Sequence, residues 1–250
     1  MLCTLATASA QTARTLDYTV LRELAHDVSH YTQGLVLHDG KLIESTGQYG
    51  RSALYEKDLE SGRVLRRFAL DAQLFGEGVT VFRERIWQLT WRERIGLLFD
   101  LDLKPVGNFR YRTEGWGLTH DGRQLIMSDG SAQLHFLDPG DARVTGSLTV
   151  RDRGQPLRLL NELEFARGRI WANVWMRDDV AVIHPQSGEV EAWVRLAPLR
   201  QRFGPPPGWD PREHVLNGIA HDAQRDRFYV TGKCWPLLFE LEIAPVRDSR

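Results

Sequence analysis

Five segments of the chain share one residue pattern, and this repetition constrains the fold more than any other feature of the sequence. Each segment begins with one residue that we call its marker residue. A small or apolar residue, a strand, a tight polar turn and a second strand follow it. Successive segments start 44, 39, 45 and 56 residues apart, counted from residues 33, 77, 116, 161 and 217. A period of about 40–50 residues is typical of one propeller blade per repeat. The segments are QGLVLHDGKLIESTG from Gln33, EGVTVFRERIWQLTW from Glu77, WGLTHDGRQLIMSDG from Trp116, NELEFARGRIWANVW from Asn161 and NGIAHDAQRDRFYVTG from Asn217.

A second hairpin follows each of the first four segments, so each repeat supplies four strands. The predicted pairs are Leu54–Leu59 with Arg63–Leu70, Leu97–Leu101 with Val106–Tyr111, Leu134–Leu137 with Arg143–Val150, and Val180–His184 with Glu189–Leu196.

The fifth repeat contributes only Leu237–Ile243 after its first hairpin, and its missing strand is available at the other terminus as Tyr18–Leu24. Closing a ring in this way protects the sheet edges. The sequence therefore predicts an all-β, five-bladed β-propeller over residues 15–245 whose last blade is closed by the N-terminal strand. A β-sandwich is the alternative, but 20 strands in five-fold register exceed what a sandwich of this length usually has.

Composition excludes several classes of protein. The 250 residues are 42% hydrophobic and 26% charged, which is ordinary for a globular protein and argues against disorder. The 32 basic and 33 acidic side chains leave a formal charge of −1, so we expect no nucleic-acid partner and no attraction to anionic membranes. No apolar run reaches the roughly 18 residues of a membrane helix. The two cysteines form neither a disulfide framework nor a CxxC motif.

The N-terminus carries a weak targeting signal. Residues 1–14 are interpreted as either the remnant of an export signal or a disordered leader, because Ala8-Ser9-Ala10 resembles a signal-peptidase site although no basic start precedes it. Cleavage there predicts a periplasmic or secreted protein; otherwise the protein is cytoplasmic.

The marker residues predict a polar site on the propeller axis, because the start of each inner strand faces the central channel. They are Gln33, Glu77, Trp116, Asn161 and Asn217. Residues that end the second strands, among them Trp91, Trp175 and Lys233, approach the same mouth. This arrangement predicts one carboxylate, Glu77, inside an aromatic box with a lysine near its rim, a concave site of the kind that binds or transforms a ligand.

A glutamate in such a box is suited to general acid–base catalysis. Desolvation by Phe75 and the tryptophans raises the expected pKa of Glu77, so that its carboxyl can take a proton and pass it on. The ring lacks the second carboxyl that glycoside hydrolysis needs. No GxSxG, HExxH or P-loop occurs, and the eight histidines show no metal-ligand spacing. For each tryptophan, packing between blades is the alternative interpretation.

The motifs around these residues resemble the plant- and bacterial-type glutaminyl-peptide cyclotransferases, in order and from about Tyr18 to Ile243. The resembling motifs are Tyr31-Thr-Gln33-Gly-Leu35, Glu44-Ser-Thr-Gly-Gln-Tyr49-Gly, Phe75-Gly-Glu77-Gly-Val-Thr80, Gln88-Leu-Thr90-Trp91, Glu114-Gly-Trp116-Gly-Leu, Leu160-Asn161-Glu-Leu-Glu164, Trp171-Ala-Asn173-Val-Trp175 and Leu216-Asn217-Gly-Ile-Ala220.

That resemblance implies a five-bladed propeller that converts an N-terminal glutamine of peptides or proteins to pyroglutamate with loss of ammonia. It implies Glu77 as the catalytic acid–base, and it implies substrate contacts from Gln33, Trp91, Trp116, Asn161, Trp175 and Lys233. No metal or organic cofactor is needed for this reaction, although a structural calcium in the channel is left open. A monomer is the default expectation.

Two other functions compete with this interpretation. A calcium-dependent lactonase-type propeller also places Glu and Asn at channel-facing strand starts, where Glu77, Asn161 and Asn217 offer oxygen ligands; Trp116 occupies a fourth position and offers none. A non-catalytic propeller that binds a peptide or protein is the second alternative, and it predicts that Glu77→Gln leaves function intact.

Overall fold

The computed structural model describes residues 13–246, which form six sheets and one short helix. Short runs of alternating or wholly apolar residues between Gly- and Asp-containing turns form the strands, as expected for sheet proteins. The strands are β1 (Arg14–Leu16), β2 (Tyr18–Ala25), β3 (Thr32–His38), β4 (Lys41–Thr46), β5 (Ala53–Asp58), β6 (Val64–Ala69), β7 (Gly76–Phe82), β8 (Arg85–Thr90), β9 (Ile95–Phe99), β10 (Pro105–Arg110), β11 (Leu118–His120), β12 (Leu125–Ser128), β13 (Gln133–Leu137), β14 (Val144–Thr149), β15 (Arg151–Asp152), β16 (Gln155–Pro156), β17 (Leu160–Ala166), β18 (Arg169–Val174), β19 (Asp179–Ile183), β20 (Val190–Arg195), β21 (Leu216–Asp222), β22 (Arg227–Gly232) and β23 (Leu237–Ile243).

Five of the sheets are the blades of a propeller, as the repeats predict. Blades 1 to 4 are β3–β6, β7–β10, β11–β14 and β17–β20, and blade 5 is β21–β23 completed by β2, which pairs antiparallel with β23. The inner strands β3, β7, β11, β17 and β21 contact one another in that order, and β21 contacts β3, so the ring is closed. The predicted closure of the last blade by the N-terminal strand is confirmed.

A separate hydrophobic cluster fills each of the five interfaces between blades. Between blades 4 and 5, for example, Trp171 packs on Phe228 with ring centroids 4.3 Å apart. Similar clusters join blades 3 and 4, 2 and 3, 1 and 2, and 1 and 5. Packing between blades, the alternative considered for every tryptophan, is therefore the role of Trp87, Trp171 and Trp193.

Three features of the described chain are not predicted by the repeats. Strand β1 adds to blade 4 by parallel pairing with β20, and β15 and β16 form a small separate hairpin. The insertion expected as a loop over Arg200–Pro211 starts inside a short 3₁₀ helix, Ala197–Arg202, whose first turn contains Pro198.

The terminal predictions fall mainly outside the described residues. Residues 1–14 were interpreted as a leader, and residues 1–12 of this segment, with Cys3 and the Ala8-Ser9-Ala10 signal, lie outside the described residues. The Arg-rich tail Arg247–Arg250 lies outside them as well. Among residues 13–246, no helix is long and apolar enough to cross a membrane.

Candidate active site

A cavity of about 680 Å³ opens at one end of the channel, and all seven residues predicted for the site line it. They are Gln33, Glu77, Trp91, Trp116, Asn161, Trp175 and Lys233. Of the five marker residues, Asn217 is the exception, because it is fully buried and lies behind Gln33. The repeat register thus brought together residues that are up to 200 positions apart in the sequence, 33 to 233.

Irregularities in the inner strands aim the marker side chains at the axis. The pairing register shifts between Thr32 and Gly34, between Gly76 and Val79, between Leu160 and Leu163, and between Leu216 and Ile219. Each shift contains a marker residue. Because a β-bulge leaves a residue out of the ladder and redirects its side chain, the same local defect in four blades produces the polar ring.

A chain of hydrogen bonds joins three of the marker residues. The side-chain amide of Asn217 donates to Gln33 Oε1 at 3.1 Å and to the carbonyl of Thr32 at 3.0 Å. Gln33 in turn donates from Nε2 to Glu77 Oε1 at 2.9 Å. Since the oxygen of Gln33 is occupied by Asn217, its NH₂ group must face Glu77. Asn217 therefore fixes which end of Gln33 the carboxyl meets.

Burial makes Glu77 a weaker acid than an exposed glutamate. Its side chain is 4% exposed, and desolvation raises its pKa well above the ordinary value, although Lys233 and the Gln33 hydrogen bond act in the opposite direction. The negative charges of Glu114 and Glu93 raise the pKa further. The predicted perturbation of Glu77 is confirmed in direction and in its main cause.

Aromatic side chains form the walls. Trp116 and Trp175 meet edge to face with centroids 5.7 Å apart, and Trp91 lies 5.5 Å from Phe75. Glu114 accepts hydrogen bonds from the indole nitrogens of both Trp91 and Trp116. The aromatic box expected from the sequence is therefore present, with Phe75 as a fourth member.

Lys233 is a buried cation at the edge of the box. Its Nζ lies 4.7 Å from the ring centroid of Tyr31, a cation–π contact. Burial lowers the pKa of Lys233 to about 8, although Glu77 and Glu213 both favour its charged form. A lysine with such a pKa changes charge near neutral to mildly alkaline pH.

Asn161 presents an unused polar atom at the site. Its backbone carbonyl accepts from Ser128 Oγ at 2.7 Å, but its side-chain oxygen is buried and has no hydrogen-bond partner among the described residues. A buried acceptor without a partner is costly. Because Asn161 lines the cavity, a ligand N–H is the natural partner for that oxygen.

The insertion before blade 5 also reaches the cavity, which the sequence analysis missed. Asp210, Glu213 and His214 line it, and Tyr31 donates a hydrogen bond to Glu213 at 2.8 Å. The prediction of a single carboxylate in the box was wrong, since Glu114, Asp210 and Glu213 line the cavity together with Glu77. The 56-residue spacing marks the insertion, but nothing in the sequence shows where it folds.

A second buried cluster lies outside the cavity and supports Lys233. Glu44 accepts hydrogen bonds from His26, His30, Thr32 and Lys57, the last at 2.9 Å. His26 Nδ1 also lies 2.7 Å from the carbonyl of Trp235, two residues after Lys233. His26, His30 and Glu44 have the composition of a metal site, but the Lys57 ammonium already occupies the carboxylate. We interpret the cluster as a hydrogen-bond network that holds the turn carrying Lys233.

Comparisons with known proteins agree on one family. Residues 1–243 match the family model described as glutamine cyclotransferase. The chain is 40% identical to a glutaminyl-peptide cyclotransferase of Arabidopsis thaliana over 232 residues, which are 90% of this chain and 70% of the relative. The crystal structure of Myxococcus xanthus glutaminyl cyclase superposes with a TM-score of 0.86 at 35% identity, covering 95% of this chain and all of that one. Fold, site geometry and sequence lead to the same conclusion: this chain belongs to the glutamine cyclotransferase family.

Proposed function

We propose that the protein converts the N-terminal glutamine of peptides or proteins to pyroglutamate and releases ammonia, with Glu77 as the general acid–base. Its relatives, a glutaminyl-peptide cyclotransferase and a glutaminyl cyclase, support this activity. The observation that carries the assignment of Glu77 is a buried carboxyl of raised pKa at the cavity wall, bonded through one oxygen to Gln33.

The reaction needs one group that moves a proton between two nitrogens. The neutral α-amine attacks the side-chain carbonyl carbon of the same residue, so a C–N bond forms and a five-membered ring closes. The bond from that carbon to the amide nitrogen then breaks. Glu77 takes the proton that the amine loses and delivers it to the departing nitrogen, which leaves as ammonia. A carboxyl with a raised pKa is a stronger base than an ordinary carboxylate and takes the proton more readily, and its protonated form then gives the proton to the departing nitrogen.

Polar neighbours of Glu77 hold the reacting carboxamide. The unpartnered oxygen of Asn161 accepts a substrate N–H, and the Lys233 ammonium donates to the carbonyl oxygen as negative charge develops on it. Gln33 keeps the Glu77 carboxyl in place through its own bond to Asn217. A well-placed donor to a developing oxyanion contributes about 3–4 kcal/mol to catalysis.

The three tryptophans supply proximity. A free glutamine side chain is flexible, and closing a ring requires the amine and the carboxamide to meet. Trp91, Trp116 and Trp175 narrow the cavity around the side chain and exclude water. Well-oriented intramolecular reactions gain effective molarities of about 10⁵ M or more.

Family membership leaves the two competing functions without support. The lactonase hypothesis needs Glu77, Asn161 and Asn217 together as calcium ligands in the site, but Asn217 is fully buried and does not line the cavity. The binding-module hypothesis gives Glu77 no role. We further propose that the enzyme needs no metal, works as a monomer and acts in the periplasm or outside the cell.

Ammonia release from a Gln-initiated peptide tests the proposal. The wild type should release ammonia and lower the mass of the peptide by that of one NH₃. The rate of ammonia release should be the same with and without EDTA. Glu77→Gln should lower kcat by about 10²- to 10⁴-fold with folding preserved. Glu242→Gln, which changes an exposed glutamate far from the cavity, is the matched control and should keep the full rate. Equal rates for wild type and Glu77→Gln would refute the role of Glu77, and loss of activity in EDTA would refute metal independence.

A further inference from the structure

Glu114 is a cavity-lining carboxylate that the mechanism above does not use, and it makes an unusual pair of contacts. A single oxygen, Oε2, accepts from Nε1 of Trp91 at 2.7 Å and from Nε1 of Trp116 at 3.0 Å. An indole N–H can only donate, and it needs an acceptor when it is withdrawn from water. One carboxylate oxygen therefore satisfies both indoles.

The two tryptophans come from different blades, so Glu114 joins them across an interface. Trp91 follows β8 of blade 2, while Glu114 and Trp116 precede β11 of blade 3. Backbone hydrogen bonds already bring the two segments together, from Gly115 N to the carbonyl of Trp91 at 3.1 Å and from Gly78 N to the carbonyl of Trp116 at 2.7 Å. These bonds place the backbones but leave the ring orientations free. The carboxylate supplies the missing restraint on both rings.

Arg92 contacts both Trp91 and Glu114. Its guanidinium carbon lies 3.8 Å from the ring centroid of Trp91, and its Nε lies 3.4 Å from Glu114 Oε1. Trp91 is thus held at its edge by Glu114 and on its face by Arg92. Trp116, the other ring bonded to Glu114, also contacts Trp175. The orientation of all three tryptophans therefore depends, directly or through one contact, on Glu114.

We infer that Glu114 is a positioning residue, which orients Trp91 and Trp116 around the substrate's glutamine side chain and so sets its cyclisation-ready conformation. The inference rests on the proposed function only for its kinetic consequence. The placement of the two indoles by Glu114 is a property of the free enzyme and can be measured without substrate.

Glu114 also acts on Glu77 through charge, and the two effects can be separated. The groups that set the ionisation of Glu77 are Lys233, Gln33, Glu93 and Glu114, and the Glu114 charge raises the pKa of Glu77. Glu114→Gln removes the charge but keeps a carbonyl oxygen that can accept from an indole. Glu114→Ala removes both the charge and the acceptor.

Kinetics of these variants give the first test. Glu114→Ala should lower kcat for a Gln-initiated peptide by at least about 10-fold, with a smaller change in KM, because misaligned reactants lose proximity. Glu114→Gln should retain more activity than Glu114→Ala. Both variants should shift the acid limb of the rate profile to lower pH, because both remove the same charge near Glu77. Glu60→Gln, an exposed glutamate paired with Arg22 and outside the cavity, is the control and should match the wild type.

The indole N–H resonances give the second test, which needs no turnover. The protein has eight tryptophans, so ¹⁵N-Trp labelling gives eight indole signals, of which Trp91→Phe and Trp116→Phe identify two. Glu114→Ala should move those two signals and increase their solvent exchange while leaving the other signals, except that of the neighbouring Trp175, in place. Unchanged Trp91 and Trp116 signals in a folded Glu114→Ala protein would overturn the inference. So would kcat and KM values within twofold of wild type. If the wild type shows no cyclase activity, the proposed function fails, and the indole signals still decide whether Glu114 positions the rings.

Discussion

At the scale of single residues, one physical cause, burial, shifts the pKa values of both Glu77 and Lys233. Desolvation raises the pKa of Glu77 and lowers that of Lys233, so each buried side chain is pushed toward its neutral form. Their mutual attraction acts against this shift and is the smaller effect on both. Under the proposed function, both groups are therefore better suited to exchange a proton with the substrate than to form a fixed ion pair.

The lowered pKa of Lys233 predicts an alkaline limit to activity. Lys233 loses its charge as pH rises through about 8, so stabilisation of the carboxamide oxygen should decline there. Lys233→Arg keeps a positive charge at all accessible pH values, since arginine does not deprotonate in proteins. We expect the wild-type kcat to fall above about pH 8 and the variant, although slower at pH 7, to show no such fall up to pH 10. A kcat profile with the same alkaline limb in both proteins would contradict the role of Lys233.

At the scale of strands, glycines next to the marker residues let the inner strands converge. A Cβ on Gly34 or Gly78 would meet backbone atoms of the next blade, and one on Gly117 would overlap the carbonyl of Asn161. Blade 4 has Glu162 where the others have this glycine, and its carboxyl accepts from the backbone N–H groups of Leu35 at 3.3 Å and Ile219 at 2.8 Å. Three glycines thus allow the close approach of neighbouring inner strands, and Glu162 takes the equivalent position in blade 4.

Gly117→Ala tests this close approach. The added methyl group must displace the backbone of blade 4 at Asn161, so we expect a loss of about 1–3 kcal/mol in the free energy of unfolding and a lower kcat from the displaced Asn161. The control is Gly204→Ala, where a Cβ meets nothing within 4 Å. Chemical denaturation of both variants is the measurement. Equal stability of the two proteins would show that the inner strands are not tightly packed.

The sequence alone predicts most strand boundaries and seven of the residues that line the cavity. Alternating residues between Gly-containing turns located the strands of the second hairpins to within two residues. Four marker positions and the ends of three second strands gave the seven predicted residues that line the cavity. Strand β1 escaped prediction because three residues, Arg-Thr-Leu, carry no pattern and become a strand only by pairing with β20. The entry of Glu213 into the cavity depends on its bond to Tyr31, 182 residues away, and no local signal encodes that contact.

At the scale of the whole molecule, the ring is tied together along its axis by buried carboxyl groups. Glu162 bonds β17 to β3 and β21, and Glu164 Oε1 accepts from His221 N at 3.0 Å. Burial is the main reason that the pKa of Glu164 rises to about 8 and that of Glu162 is raised well above the usual range. These carboxyl groups are therefore neutral at low pH. As pH rises they ionise inside the protein, where burial disfavours their negative charge.

Stability should accordingly fall toward alkaline pH. For Glu164 the folded-state pKa of about 8 exceeds the unfolded value of about 4.3, so its stabilisation is complete below pH 4 and is lost as pH rises through 8. Glu164→Gln stays neutral at every pH. We expect its melting temperature, relative to wild type, to rise by at least about 2–4 °C between pH 5 and pH 9. Glu189→Gln, an exposed glutamate, is the control, and a pH-independent difference for Glu164→Gln would contradict the account.

The most direct measurement of the central claim is the titration of the Glu77 carboxyl itself. In ¹³C-Glu-labelled protein without substrate, the carboxyl signal that disappears in Glu77→Gln belongs to this residue. Our account predicts that this signal titrates well above the ordinary glutamate pKa, at a higher pH than the signals of exposed glutamates. A Glu77 signal that titrates at or below pH 4.5 would show a permanently charged carboxylate and would contradict the proposed proton relay.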